Sequence, residues 1–199
     1  MPPKRTPPSR PPTTKTTKTD ILMSIKPEHM SNIAIGRKNH EYRRYLLPAT
    51  VRRVWLYTTA PVSRIEHVAR VSRAKTPGQV PEDGGLGNAE FNAGRKASKY
   101  AYEILDLWKL REPMSLKGAM ARGFLRRAPQ KYCWAPVALV EGFPLGRQEH
   151  LLSRDEGGRG SSTERGDTYR IDEEISGKMP GAGGVIKASE SATTLVSYG

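Results

Sequence analysis

Apolar positions concentrate between residues 21 and 140 and change period along that stretch. Ile21-Leu22-Met23-Ser24-Ile25 is a short, nearly continuous apolar run, as in a largely buried first strand. Pro27 suits the first turn of a helix, where its missing N–H costs little. Met30, Ile33 and Ala34 then recur at i, i+3 and i+4, one helical face. Gly36 suits the left-handed residue that stops such a helix. Lys38 to Leu46 returns to extended chain, which Pro48 and Ala49 turn. Val51 to Thr59 alternates, with Val54 and Leu56 on one side and Arg53, Trp55 and Tyr57 on the other. Bulk on both sides predicts a central strand, and Pro61 breaks it. Arg64 to Val71 sets Ile65, His67, Ala69 and Val71 against Arg64, Glu66, Val68 and Arg70, a half-buried antiparallel strand.

The second half reads less regularly. Thr76 to Asn88, rich in Gly, Pro and acids, predicts a long loop of the kind that often carries function. Ala97, Tyr100, Ala101, Ile104, Leu105 and Trp108 follow a 3,1,3,1,3 spacing that predicts an amphipathic helix ended by Pro113. Ser115 to Ala121 predicts a turn or short helix with Gly123 as its stop. Lys131 to Trp134 leads into Ala135 to Val140, an apolar strand with Pro136 at an edge, a bulge or its start. The order β-α-β-β-β, loop, α, α, β predicts an α+β domain over 21–145, a small curved sheet or open barrel with a few flanking helices. Residues 1–20 and 146–199 lose the apolar period and are expected to be disordered tails, with brief ordering near Val185 to Lys187.

Composition sharpens this outline. Only 36% of the 199 residues are hydrophobic, and 16 prolines and 19 glycines crowd toward the ends, which fits one small domain with tails. The net charge of +13 is unevenly spread. Residues 21–145 carry 21 Lys/Arg against ten acids, +11, whereas 146–199 carry seven against nine. A folded part this basic attracts polyanions by steering and counterion release, so RNA or another nucleic acid is the expected partner. Cys133, the single cysteine, excludes an internal disulfide and fits a reducing compartment, nuclear or cytoplasmic. No apolar run reaches the roughly 18 residues of a membrane span, and no secretory leader stands at the N-terminus. A monomer is expected. Pro-Pro-Lys-Arg at the start reads as a solvating tail or a weak nuclear address.

The chemistry-bearing residues gather around Gly36-Arg37-Lys38-Asn39-His40-Glu41-Tyr42-Arg43-Arg44. In a strand, Lys38, His40 and Tyr42 share one side and Asn39, Glu41 and Arg43 the other, so Glu41 can pair with Arg43. Arg and Lys suit phosphates, a carboxylate accepts from base amino groups, and Tyr42, Tyr57 or Tyr132 can stack on a base. Arg126 and Arg127, with Arg122 and Lys131, form a second basic group. His29, His40, His67 and His150 show no metal-ligand spacing with one another or with Cys133. Gly85-Leu86-Gly87 lacks the third glycine and preceding strand of a dinucleotide fingerprint, and no phosphate loop is present. No cofactor is expected.

The succession Ser24-Ile25-Lys26-Pro27, a short helix, Gly36-Arg37-Lys38 and Glu41-Tyr42-Arg43-Arg44 resembles the ASCH (activating signal cointegrator homology) domain of the PUA-like superfamily. Trp55-Leu56-Tyr57, Pro61-Val62 and Ala128-Pro129-Gln130-Lys131-Tyr132 follow the same layout, so the resemblance covers about 21–140. It implies a PUA-like β-barrel with a ligand cleft beside the first helix, where members of the family bind RNA or nucleotides, some in transcription coactivator complexes. The binding set it implies is Lys26, Arg37, Lys38, Glu41, Tyr42, Arg43 and Arg44, joined by Arg126, Arg127, Lys131 and Tyr132. One bacterial branch hydrolyses the amide of an acetylated cytidine through a Gly-x-Lys-Thr-x-Thr-x-Arg stretch and a later glutamate. Here Lys38 and Arg43 match that stretch, Asn39 replaces its first threonine, and Glu41 stands in place of its catalytic threonine. Glu90 and Glu103 are both open as the later glutamate. An amidohydrolase using Lys38 and Glu41, and a protein-interaction module of a nuclear complex, are therefore the alternatives to RNA binding.

Overall fold

The computed structural model describes residues 14–154. The expectations for 1–13 and 155–199 lie outside the described residues. Within them the chain runs β1 (Thr16–Ile25), α1 (Pro27–Ala34), β2 (His40–Arg43), β3 (Arg53–Thr58), β4 (Arg64–Val71) and α2 (Asn88–Asn92). It continues through β5 (Tyr100–Ser115), α3 (Leu116–Ala121), β6 (Cys133–Pro136), α4 (Val137–Gly142), a 3-10 turn (Leu145–Arg147) and β7 (Glu149–Ser153). One sheet takes the order β2-β5-β4-β3-β1-β6, with β7 added on β5. β1 and β3 are parallel, as their helical crossover requires, and the other pairings are antiparallel. The class is α+β, in agreement with the sequence.

The barrel is left open, and its two ends meet through side chains instead of a strand ladder. Arg43 of β2 donates from Nη2 to the Ser24 carbonyl of β1 at 2.8 Å. Tyr45 donates to the Lys131 carbonyl at 2.9 Å, and its ring lies 5.9 Å from that of Tyr132. These contacts span the seam between β2 and the β1–β6 end.

The sheet is buried on both faces. Ile21, Met23, Ile33, Val54, Leu56, Ile104 and Leu107 fill a first core under α1. Leu22, Trp55, Tyr57, Leu110, Leu139 and Phe143 fill a second, to which α3 and α4 also contribute. β3 thus divides as its sequence predicts, Val54 and Leu56 to one core, Trp55 and Tyr57 to the other. α1 begins at Pro27, and Gly36, at φ 77°, follows its end as expected. In β4 a bulge between Ile65 and His67 changes the alternation: Ile65 and Val68 face the second core, Ala69 and Val71 the first.

Three expectations are corrected. The predicted amphipathic helix over 97–108 is the strand β5. Its apolar residues are divided between two cores and its register shifts against both β4 and β7, so simple alternation is lost and a helix-like spacing results. Glu103 and Asp106 sit inside it because cations meet them, Lys75 at 2.6 Å from Glu103 and Arg70 on Asp106, with the His150 ring nitrogen 3.0 Å from the other Asp106 oxygen. Trp108 is only half-buried, stacked on His150 at 5.1 Å. The expected strand over 135–140 stops at Pro136, and Val137–Gly142 is helical. The folded part is also longer at both ends than 21–145, since β1 starts at Thr16 and β7 reaches Ser153.

Asp20, on the tail side of the expected boundary, is fully buried. Its carboxylate accepts from Arg53 Nε at 2.7 Å, from Trp55 Nε1 at 3.2 Å and from the Thr19 hydroxyl at 2.7 Å. It ties the start of β1 to β3. Asp20→Ala leaves the buried indole N–H without an acceptor and Arg53 without its carboxylate. It is expected to cost about 2–4 kcal/mol in urea unfolding, at roughly 1–3 for each stranded polar group. A loss below about 0.5 kcal/mol would mean that β1 begins, in energetic terms, only at Ile21.

Candidate nucleic-acid interface

Between the end of β1, the start of α1 and the far side of β2 lies an open cleft of about 460 Å³, within the range of ligand pockets. Its wall carries Lys26, Lys38, Arg43 and Lys96, with Glu41 as the single carboxylate among the described residues. Glu41 is the fixed point. It is almost fully buried, and its Oε2 accepts from Lys38 Nζ at 2.7 Å while Oε1 accepts from Arg43 Nη2 at 3.0 Å. Lys38, equally buried, also donates to the His40 carbonyl and lies 4.5 Å from the centre of the Tyr42 ring. Burial holds its ammonium below the ordinary lysine value; Glu41 offsets only part of this, and Arg43 and Lys96 push with burial.

A polar network behind the cleft holds β2 against the 76–88 loop. Asn39 accepts at Oδ1 against His40 Nδ1 (2.8 Å) and donates to Asp83 at 2.7 Å. Asn88 donates to the other Asp83 oxygen at 2.9 Å and accepts from the Tyr42 hydroxyl at 2.5 Å. Gly85 is required there: a Cβ would stand 2.3 Å from Asn39 Oδ1. Gly87, at φ 89°, is passed closely by Lys96, whose Nζ would lie 2.7 Å from an added Cβ. Gly85 therefore serves close approach within the loop, and Gly87 its left-handed backbone. Burial pushes the Tyr42 phenol up, reinforced by Glu41. His40 is driven down to about 4, by burial first and by Lys75 second, and burial likewise lowers His67 to about 4.

Of the sequence-predicted set, Lys26, Lys38, Glu41, Tyr42 and Arg43 come together in this cleft. Arg37 and Arg44 are exposed and do not line it. Arg126, Arg127, Lys131 and Tyr132 line a separate groove. Tyr42 is not free to stack on a base, because Phe91 packs at 5.1 Å and the ammoniums of Lys38 and Lys96 lie 4.5 and 4.8 Å from its centre. Glu103 pairs with Lys75 and Glu90 is exposed on α2; neither lines the cleft. Sequence reasoning missed Lys96, Ser98, His29 and Thr59 as wall residues. The signal for Lys96 was the basic run Arg95-Lys96-Ala97-Ser98-Lys99, absorbed into a helix that does not form.

A crystal structure of an ASCH protein from Zymomonas mobilis is similar to this chain, with a TM-score of 0.50 and 20% identity over 67% of this chain and 98% of its own. The fold is that of an ASCH domain. A serine-to-alanine variant of the Zymomonas protein matches at 22% identity over 64% of this chain and 95% of its own, TM-score 0.49. A tyrosine-to-phenylalanine variant matches at 20% over 66% and 100%, also 0.49. No protein-family model and no curated protein matches the sequence. Among the described residues no helix is long and apolar enough to cross a membrane, and no group of three or more His, Cys, Asp or Glu is placed to hold a metal.

In this ASCH-type fold the two buried histidines set a pH response. Both are neutral when folded and ordinary, near 6.5, when unfolded. The unfolded chain therefore binds more protons below about pH 6.5, and stability falls as pH drops from there toward about 4. Asp83 is also held low, hydrogen bonds from Asn39 and Gly85 outweighing its desolvation, but its contribution is lost only as pH falls from its unfolded value near 3.8 downward, below the histidine window. Urea unfolding at pH 7 and pH 5 is expected to show the loss, and His67→Gln is expected to halve it. Equal stability at the two pH values would contradict the neutral burial of both rings.

Proposed function

We propose that this chain binds RNA, or a nucleotide-type ligand, in the cleft beside α1. The observation that carries this reading is the charge arrangement: four cations against one carboxylate that is already shared by two of them. Lys38 and Arg43 are fixed by Glu41, while Lys26 is exposed and Lys96 half-exposed. The first pair supplies a held positive field, the second pair reaches for phosphate oxygens. The ASCH-type fold and the basic 21–145 segment agree with a polyanionic ligand. Glu41, with both oxygens engaged, acts as the orienting group, and base discrimination falls to Ser98, Thr59 and backbone edges in the same wall.

One observation favours a second reading, hydrolysis of an acylated nucleoside: the Lys38 ammonium is lowered by burial and sits against Glu41, as a general base would be prepared. Against it, Lys38 already donates to His40 and Glu41, and no second carboxylate lines the cleft. Release of acetate from N4-acetylcytidine by the protein, lost in Lys38→Met, would decide for turnover.

Binding is expected to depend on salt. For a single strand, log affinity falls with log salt by about 0.7 for each neutralised phosphate. Lys26→Ala/Lys96→Ala, which leaves the buried pairs intact, is expected to weaken binding of a short oligoribonucleotide and flatten the slope by about 1.4 on that relation. Unchanged affinity and slope in this variant would remove the cleft as the binding site.

A further inference from the structure

A second groove, of about 710 Å³, runs beside the first along residues 123–136. Among the described residues its lining includes Arg126, Arg127 and Lys131, all exposed, and no carboxylate. Tyr132 and Trp134 stand on its wall, half-buried and edge-to-face at 6.3 Å. Lys18 lies 5.7 Å from the Trp134 ring centre, and Lys131 lies 4.5 Å from Tyr45 and 5.7 Å from Tyr132. Cations therefore lie against aromatic rings that are half-buried, Tyr132 also packing on Tyr45 at 5.9 Å. The groove and the cleft share a wall. Ser24, which lines the cleft, donates to the carbonyl of Pro129, which lines the groove, at 2.5 Å. At the same point Arg43 holds the Ser24 carbonyl, so the wall is rigid on both sides.

We infer that the groove continues the cleft as a path for one single-stranded polynucleotide, with phosphates on Arg126, Arg127 and Lys131 and bases against Tyr132 and Trp134. The inference rests on the reading of the cleft as a nucleotide site. Three exposed cations and no acid give a surface that a strand's phosphates neutralise. The half of each ring that the protein leaves exposed offers a surface on which bases stack without regard to sequence once the lysine is displaced. An acidic peptide would satisfy the charges but, unlike a polynucleotide, does not carry a flat ring beside each charge to displace lysine from Tyr132 and Trp134. A duplex would present its phosphates and bury its bases, leaving those faces unused.

The test uses the full 199-residue chain and 5′-phosphorylated oligouridylates of two and eight nucleotides, the shorter having the two phosphates that Lys26 and Lys96 require, titrated at several salt concentrations. Wild-type protein is expected to bind the octamer more tightly than the dimer, with a slope steeper by about 2, at roughly 0.7 for each of three added phosphates. Arg126→Ala/Arg127→Ala/Lys131→Ala changes exposed residues only. It is expected to bind the dimer as wild type does and to lose the gain with length. Tyr132→Leu is expected to weaken octamer binding by about tenfold, within the range of one lost base stack, with the salt slope kept. Oligothymidylate run in parallel separates the strand chemistries: an equal gain assigns the groove to single strands of either sugar, a gain confined to uridylate assigns it to RNA. A wild-type protein that binds the dimer yet gains nothing with length overturns the path and leaves the cleft standing. A protein that binds neither overturns both. Displacement of the octamer by polyglutamate of equal charge, at equal concentration, reduces the groove to a charge surface and also overturns the assignment.

Discussion

The structure turns on a buried carboxylate with two cations. Glu41 sits in a short strand at the end of the sheet, almost wholly removed from water, between Lys38 and Arg43. An unpaired charge in such a place is costly by several kcal/mol, and pairing recovers the cost only when geometry and hydrogen bonds are complete. Here Lys38 adds a bond to the His40 carbonyl, and Arg43 adds one to the Ser24 carbonyl across the seam. The ion cluster is thus what brings the open ends of the barrel together. Beside Arg43, which reaches from β2 to β1, the Tyr45 contacts cross the same seam.

The same cluster shapes what the surface offers. Because Glu41 holds Lys38 and Arg43 in place, the anionic ligand proposed above would meet their charge without the entropy cost of ordering long side chains. Exposed Lys26 and half-exposed Lys96 complete the cleft. The polar network of Asn39, Asp83 and Asn88 braces β2 from behind, and Gly85 allows the backbone to pass Asn39 closely. Fold and site therefore depend on one set of contacts, and a change that loosens the loop also moves the cleft wall.

Much of this was legible in the sequence. The strand and helix through Pro27 and Gly36, the two-faced strand around Trp55 and the pairing of Glu41 with Arg43 all follow from local pattern and from residue chemistry, whereas Lys38, which alternation sets on the opposite side, reaches Glu41 because β2 starts only at His40. What failed did so for physical reasons. β5 divides its apolar residues between two cores and carries Glu103 and Asp106 neutralised from other elements, so its pattern imitates a helix. Asp20 looked like the last residue of a tail because its partners, Arg53 and Trp55, lie a strand away. Tyr42 looked available for stacking because nothing local shows that Phe91 and Lys96 will cover it. β7 is short and mixed in character, and only its pairing with β5 makes it a strand.

The most direct measurement is on Glu41→Gln, followed by thermal unfolding and by oligoribonucleotide titration on the same preparation. The substitution keeps shape and removes one negative charge. If Glu41 fixes Lys38 and Arg43, the variant loses stability, by about 2–4 kcal/mol given two buried or half-buried cations left without their carboxylate, and binds RNA more weakly although the cleft has become more positive. A variant as stable as wild type that binds RNA more tightly would contradict this, and would reduce Glu41 to a stray opposing charge in a simple basic surface.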